Sequence, residues 1–112
     1  MTQLSAKNRK TAVVNITSRM GSIDDNSSGG YYAYRASKAA LNMISKSLSI
    51  DLTPKGISVI SLYPGWVQTD MGGKNATLDV YTSVSKMINT IKNINASVLG
   101  KMLNYDGIVI PY

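Results

Sequence analysis

Short runs of apolar residues alternate along this chain with longer segments in which apolar residues recur at helical spacing. Polar stretches rich in Ser, Gly, Asn and Asp separate them. Residues 1–10 are polar and read as a tail, or as the end of a preceding helix. Residues 11–17 (TAVVNIT) are β-branched and nearly continuously apolar, which predicts a strand buried on both faces. Residues 18–30 form a loop by composition. From residue 31 to about 52 there is no Pro or Gly, and Ala40, Leu41, Ile44, Leu48 and Leu52 recur as one helical stripe. Thr53-Pro54-Lys55-Gly56 stops that helix, with Gly56 as a left-handed cap. Residues 57–63 (ISVISLY) are a second strand, and residues 64–75 a second loop. A second helix starts at Asp79 as its cap and places Val80, Val84, Met87, Ile88, Ile91 and Ile94 on one stripe. Two final apolar runs flank Asp106-Gly107, a turn signal.

Strand, loop, helix, strand, loop, helix, strand is the order of an α/β domain, and its crossovers make the first two strands parallel. Ligands of open α/β sheets bind beyond the carboxyl ends of the strands. Both polar loops leave such ends, so they are expected along one cleft.

Composition narrows the chemistry. The chain has 112 residues, enough for one small domain. Cysteine and histidine are absent, which removes disulfides, thiolate zinc sites and histidine-based nucleophilic triads. Proton transfer must come from Asp, Tyr, Lys or Ser. The net charge of +6 is dispersed, with only Lys7, Arg9 and Lys10 clustered, and no helix carries a basic face. A nucleic-acid partner is therefore not expected. No apolar run is long enough to span a bilayer and the N-terminus lacks a signal-type apolar core, so the expected location is the cytoplasm, with no membrane partner. Sequons at Asn15, Asn26, Asn75 and Asn95 read as chance in that setting.

Tyr34 and Lys38 lie one helical turn apart, roughly 6 Å at Cβ. An ammonium beside a phenol favours the phenolate, so the pair is a candidate acid/base built without histidine. Taken alone it reads first as a solvated surface pair. Ser18 stands where the first strand ends, as a turn hydroxyl or a ligand contact. Pro64-Gly65 follows the second strand as a β-turn, Trp66 could roof the core, and Thr69 could cap a turn.

In combination these segments resemble the short-chain dehydrogenase/reductase family. NITSRMGSI, YRASKAALN and YPGWVQTDM stand for its strand ending Asn-x-Ser-Ser, its Tyr-x-x-x-Lys helix and its Pro-Gly-x-Val-x-Thr loop. The likeness runs from Val13 to Pro111 and is greatest to the sniffer and C-factor branch of carbonyl reductases. It implies the C-terminal half of a doubly wound, Rossmann-like parallel sheet, with residues 11–112 as a partial, catalytic domain. It implies an NAD(P)-dependent oxidoreductase, NADP(H) before NAD(H), acting on a small carbonyl or alcohol and forming a homo-oligomer at full length.

The resemblance also implies roles. Tyr34 would be the acid/base, Lys38 would hold the nicotinamide ribose, and Ser18 would bind the substrate oxygen. Pro64, Gly65, Trp66, Val67 and Thr69 would line the nicotinamide. The family's Gly-rich pyrophosphate turn has no counterpart before Val13, and Gly29-Gly30 and Gly72-Gly73 are misplaced to serve. Neither Asn15 nor Asn42 stands where the family's catalytic helix Asn does. The chain alone, read as truncated, is therefore expected to be inactive. A second reading is a non-catalytic fragment that binds full-length subunits through the helix carrying Tyr34.

Overall fold

The computed structural model describes residues 11–67, 73 and 75–112. Strand β1 (Thr11–Ile16) leads to helix α1 (Tyr32–Leu52), β2 (Ile57–Tyr63), α2 (Val80–Lys92), β3 (Met102–Asn104) and β4 (Val109–Ile110). The sheet order is β1-β2-β3-β4. The first two strands are parallel, from Thr11 opposite Ile57 to Ile16 opposite Leu62, as the α/β reading requires. β3 adds parallel to β2, and β4 folds back antiparallel. Asp106-Gly107 makes that hairpin: Gly107 N–H donates to Asn104 O at 2.9 Å and the Asp106 carboxylate accepts from Ile108 N–H at 3.2 Å. Together these elements form the partial doubly wound sheet expected from the sequence.

Alternation along the strands divides the sheet into two faces. Val14, Ile60, Leu62 and Leu103 meet Met87 and Ile91 of α2 and Ile94 just beyond its end, and this is the apolar core. The expected α2 stripe is thus split. Met87, Ile91 and Ile94 pack inward, while Val80, Val84 and Ile88 remain about half exposed. Asp79 caps the helix as predicted, its carboxylate accepting from Thr82 N–H at 2.7 Å.

The α1 face differs from its predicted stripe. Ala40 and Ile44 face solvent, and Asn42, Ser45 and Ser49 are buried instead. The reason lies in the sheet, whose α1 side presents Asn15, Thr17 and Ser61. Ser45 Oγ accepts from Asn15 Nδ2 and from Ser61 Oγ, both at 2.7 Å, and Thr17 Oγ1 donates to Asn42 Oδ1 at 3.0 Å. Buried polar groups are costly unless bonded, so these strand residues select the polar side of the helix. Small serines also let the helix backbone approach closely. Gly56, at φ 77°, caps the 3-10 turn that follows α1.

Candidate active site

The carboxyl ends of β1 and β2 and the first turns of α1 and α2 enclose a cleft of about 930 Å³. Thr17 N–H donates to Leu62 O at 2.9 Å, extending the β1–β2 pairing to the cleft edge. Ser18 follows in extended conformation, and its Oγ accepts from Met20 N–H at 3.1 Å to cap the 3-10 turn Arg19–Gly21. A hydroxyl has two lone pairs and one proton, so this capping bond leaves Ser18 O–H able to donate into the cleft. The turn and ligand readings of Ser18 are compatible.

Gly21 sets how near that turn comes to α1. An added Cβ would lie 2.7 Å from the Lys38 carbonyl carbon, so only glycine fits. The Thr17–Asn42 bond makes a second tie between strand end and helix. Tyr34 and Lys38 point from α1 into the same cleft, with Lys38 Nζ 5.7 Å from the centre of the Tyr34 ring. On the opposite side run Pro64, Gly65, Trp66 and Val67. Gly65 takes φ 89°, and a Cβ there would strike the Tyr105 ring at 2.9 Å. Ser83 Oγ of α2 braces this turn by donating to Pro64 O at 2.7 Å, and Leu78 N–H donates to Trp66 O at 3.1 Å.

Seven of the sequence-selected residues, Ser18, Tyr34, Lys38, Pro64, Gly65, Trp66 and Val67, therefore line one cleft. Thr69 lies outside the described residues. Sequence reasoning missed Met20, Tyr31 and Tyr63, which line it too. Tyr63 had a signal: it ends β2, directly before Pro64. Burial pushes the Tyr63 phenol up, with the Arg19 guanidinium opposing, 5.8 Å above the ring. Arg19 is itself paired with Asp25 at 3.2 Å. Lys38 is the one charged side chain among the described cleft residues. The arrangement offers a proton donor, an adjacent cation and a hydroxyl, within mostly apolar walls.

Comparison with known proteins bears on the family and the fold. The short chain dehydrogenase family model matches residues 1–79. The C-signal protein of Myxococcus xanthus is 50% identical over 100 residues, covering 89% of this chain and 60% of its own length. A 1-hydroxy-2-glutathionyl-2-methyl-3-butene dehydrogenase of a Rhodococcus species is 37% identical over 101 residues, covering 87% of this chain and 45% of its own. The carbonyl reductase Sniffer of D. melanogaster superposes with a TM-score of 0.87 at 50% identity, over 90% of this chain and 41% of that one. An NADPH-bound carbonyl reductase from chicken fatty liver superposes with a TM-score of 0.88 at 35% identity, over 100% of this chain and 48% of that one. The chain spans about half the length of the curated relatives it matches. By its sequence match and its fold alike, it belongs to the short-chain dehydrogenase family.

Proposed function

We propose that residues 11–112 are the catalytic part of an NADP(H)-dependent carbonyl reductase that uses Tyr34 as its acid/base. The observation that carries this reading is the convergence of Ser18, Tyr34, Lys38 and the Pro64–Val67 turn on one cleft at the strand ends. The nicotinamide end of a cofactor would fit what is present: the Pro64–Val67 turn lines the cleft across from α1, and Lys38 supplies a cation beside Tyr34. The pyrophosphate end has no cradle in this sequence. Relatives solved with NADPH or NADP support the choice of nucleotide.

When bound, a nicotinamide supplies hydride. Tyr34 Oη gives its proton to the carbonyl oxygen of the substrate. Ser18 O–H, held by its bond from Met20 N–H, donates to the same oxygen and stabilises the charge that develops there without reorganising. Lys38, whose Nζ lies 5.7 Å from the centre of the Tyr34 ring, would bind ribose hydroxyls. Pro64, Gly65, Trp66 and Val67 would hold the ring, and the family resemblance assigns its amide to Thr69, outside the described residues. The substrate is a small carbonyl or alcohol.

The exposed Ala40, Met43 and Ile44 on α1 suit a homo-oligomer that covers this face. No helix of the described residues is long and apolar enough to cross a membrane, and cytoplasm is the location we assign.

The test supplies the nucleotide-binding half, in a longer chain or as a complementing fragment. The assembled protein then reduces a small carbonyl with NADPH. Tyr34→Phe lowers turnover at least ~100-fold while NADPH still binds. Turnover retained by the Phe variant at saturating NADPH would overturn the proposal.

A further inference from the structure

One residue beyond Tyr34, the Arg35 side chain makes a set of bonds that the reductase reading leaves unused. Its Nε–H donates to Gly30 O at 3.0 Å, and Nη2 to Gly29 O at 3.3 Å and Ser28 Oγ at 3.2 Å. Nη1 reaches Met20 O at 3.5 Å. No carboxylate pairs with Arg35 among the described residues; its donors go to the loop that enters α1. There Gly29, Gly30 and Tyr31 take φ of 69°, 71° and 51° in succession. Tyr31 is the one non-glycine with positive φ among the described residues. That conformation is unfavourable for an aromatic residue. Burial does not offset it, because Tyr31 is 73% exposed. Folding gains little from placing Tyr31 this way. What the placement does achieve is to stand the ring on the rim of the cleft that holds Tyr34.

We propose that Arg35 is a positioning residue that clamps the left-handed turn, and that Tyr31 is thereby a specificity-determining residue for the reaction at Tyr34. The fork of the guanidinium matters as well as its charge, because it spans carbonyls of two separate loop stretches, at Met20 and at Gly29-Gly30. The specificity half rests on the reductase reading; the clamp does not.

The clamp is testable on the 112-residue chain, with Leu62 as the internal control for partial unfolding, and the specificity role on the protein assembled with its nucleotide-binding half. Arg35→Gln and Arg35→Lys should each speed chymotryptic cleavage after Tyr31 or Tyr32 by at least ~10-fold, with cleavage after buried Leu62 unchanged. Unchanged cleavage at the loop, or equal acceleration at Leu62, would overturn the clamp. Tyr31→Asn keeps a residue that tolerates the left-handed backbone but removes the ring. With NADPH oxidation by the assembled protein as the readout, wild type should favour acetophenone over acetone in kcat/KM. Tyr31→Asn should reduce that preference about 2- to 10-fold, the range for a lost aromatic contact, and Tyr31→Phe should retain it. An unaltered preference in Tyr31→Asn sinks the specificity role. If the assembled wild type reduces neither ketone, the reductase reading fails along with that role, while the cleavage rates still decide the clamp.

Discussion

Gly21 and Tyr63 show how single residues define this cleft. At Gly21 the nearest atoms to an added methyl are Lys38 backbone and Cβ at 2.7 and 2.8 Å, so neither can swing aside. Gly21→Ala should cost about 1–3 kcal/mol, the usual penalty of overpacking. For a domain of this size that lowers the melting temperature by several degrees. Circular dichroism melts check it, and a wild-type midpoint would mean that the turn and helix are less tightly apposed. Tyr63 and Tyr112 make a pH prediction. Burial raises both phenols, so the folded state favours their neutral forms. Their contribution is intact below the ordinary phenol pKa of ~10 and is lost as pH rises through the higher folded values. Denaturant midpoints should therefore be level up to about pH 9 and fall above ~10, and Tyr63→Phe should lessen the fall. Ser18, Tyr34 and Lys38 were legible as residues because strand-end position and helical spacing are sequence properties. Tyr31 was not, because neither hydrophobic period nor residue type marks an aromatic residue for a left-handed backbone.

Among the elements, β1 carries the clearest consequence. It pairs with β2 alone among the described strands, so its other edge presents unpaired backbone groups. Ala12–Ile16 has no charge, Pro or bulge to blunt that edge, and Ile16 is 52% exposed. Such edges template pairing with other chains. The isolated chain should self-associate through residues 11–17 or unfold in part. Size-exclusion chromatography with amide exchange tests this: a sharp monomer whose Val13–Ile16 amides exchange only by global unfolding would contradict it. The helices show where sequence patterning succeeds and where it fails. α2 begins at its Asp79 cap because a carboxylate accepting an amide is a local interaction. The buried side of α1 escaped the stripe because Asn15, Thr17 and Ser61, remote in sequence, hydrogen-bond Asn42 and Ser45. Apolar periodicity has no way to register a polar interface.

For the whole molecule, the proposed function assigns the cleft to a nicotinamide, whereas this sequence carries no Gly-rich turn for the pyrophosphate. A few contacts of that kind are worth about 4 kcal/mol, so NADPH should bind the 112-residue chain more weakly than ~1 mM. A calorimetric titration giving micromolar affinity would disprove this and would point to a self-sufficient enzyme. The sequence by itself determined the order of elements, the parallel pairing of β1 and β2, the turn at Asp106-Gly107 and the candidate set Ser18, Tyr34, Lys38 and Pro64–Val67. These follow from hydrophobic period, caps and turn chemistry, which act over a few residues, and from the family resemblance they carry. Only the tertiary structure decided which side of α1 meets the sheet, which half of the α2 stripe is core, and that Met20, Tyr31 and Tyr63 share the cleft. Each of those depends on partners brought together from distant parts of the chain, by hydrogen bonds and close packing that leave no periodic trace along it.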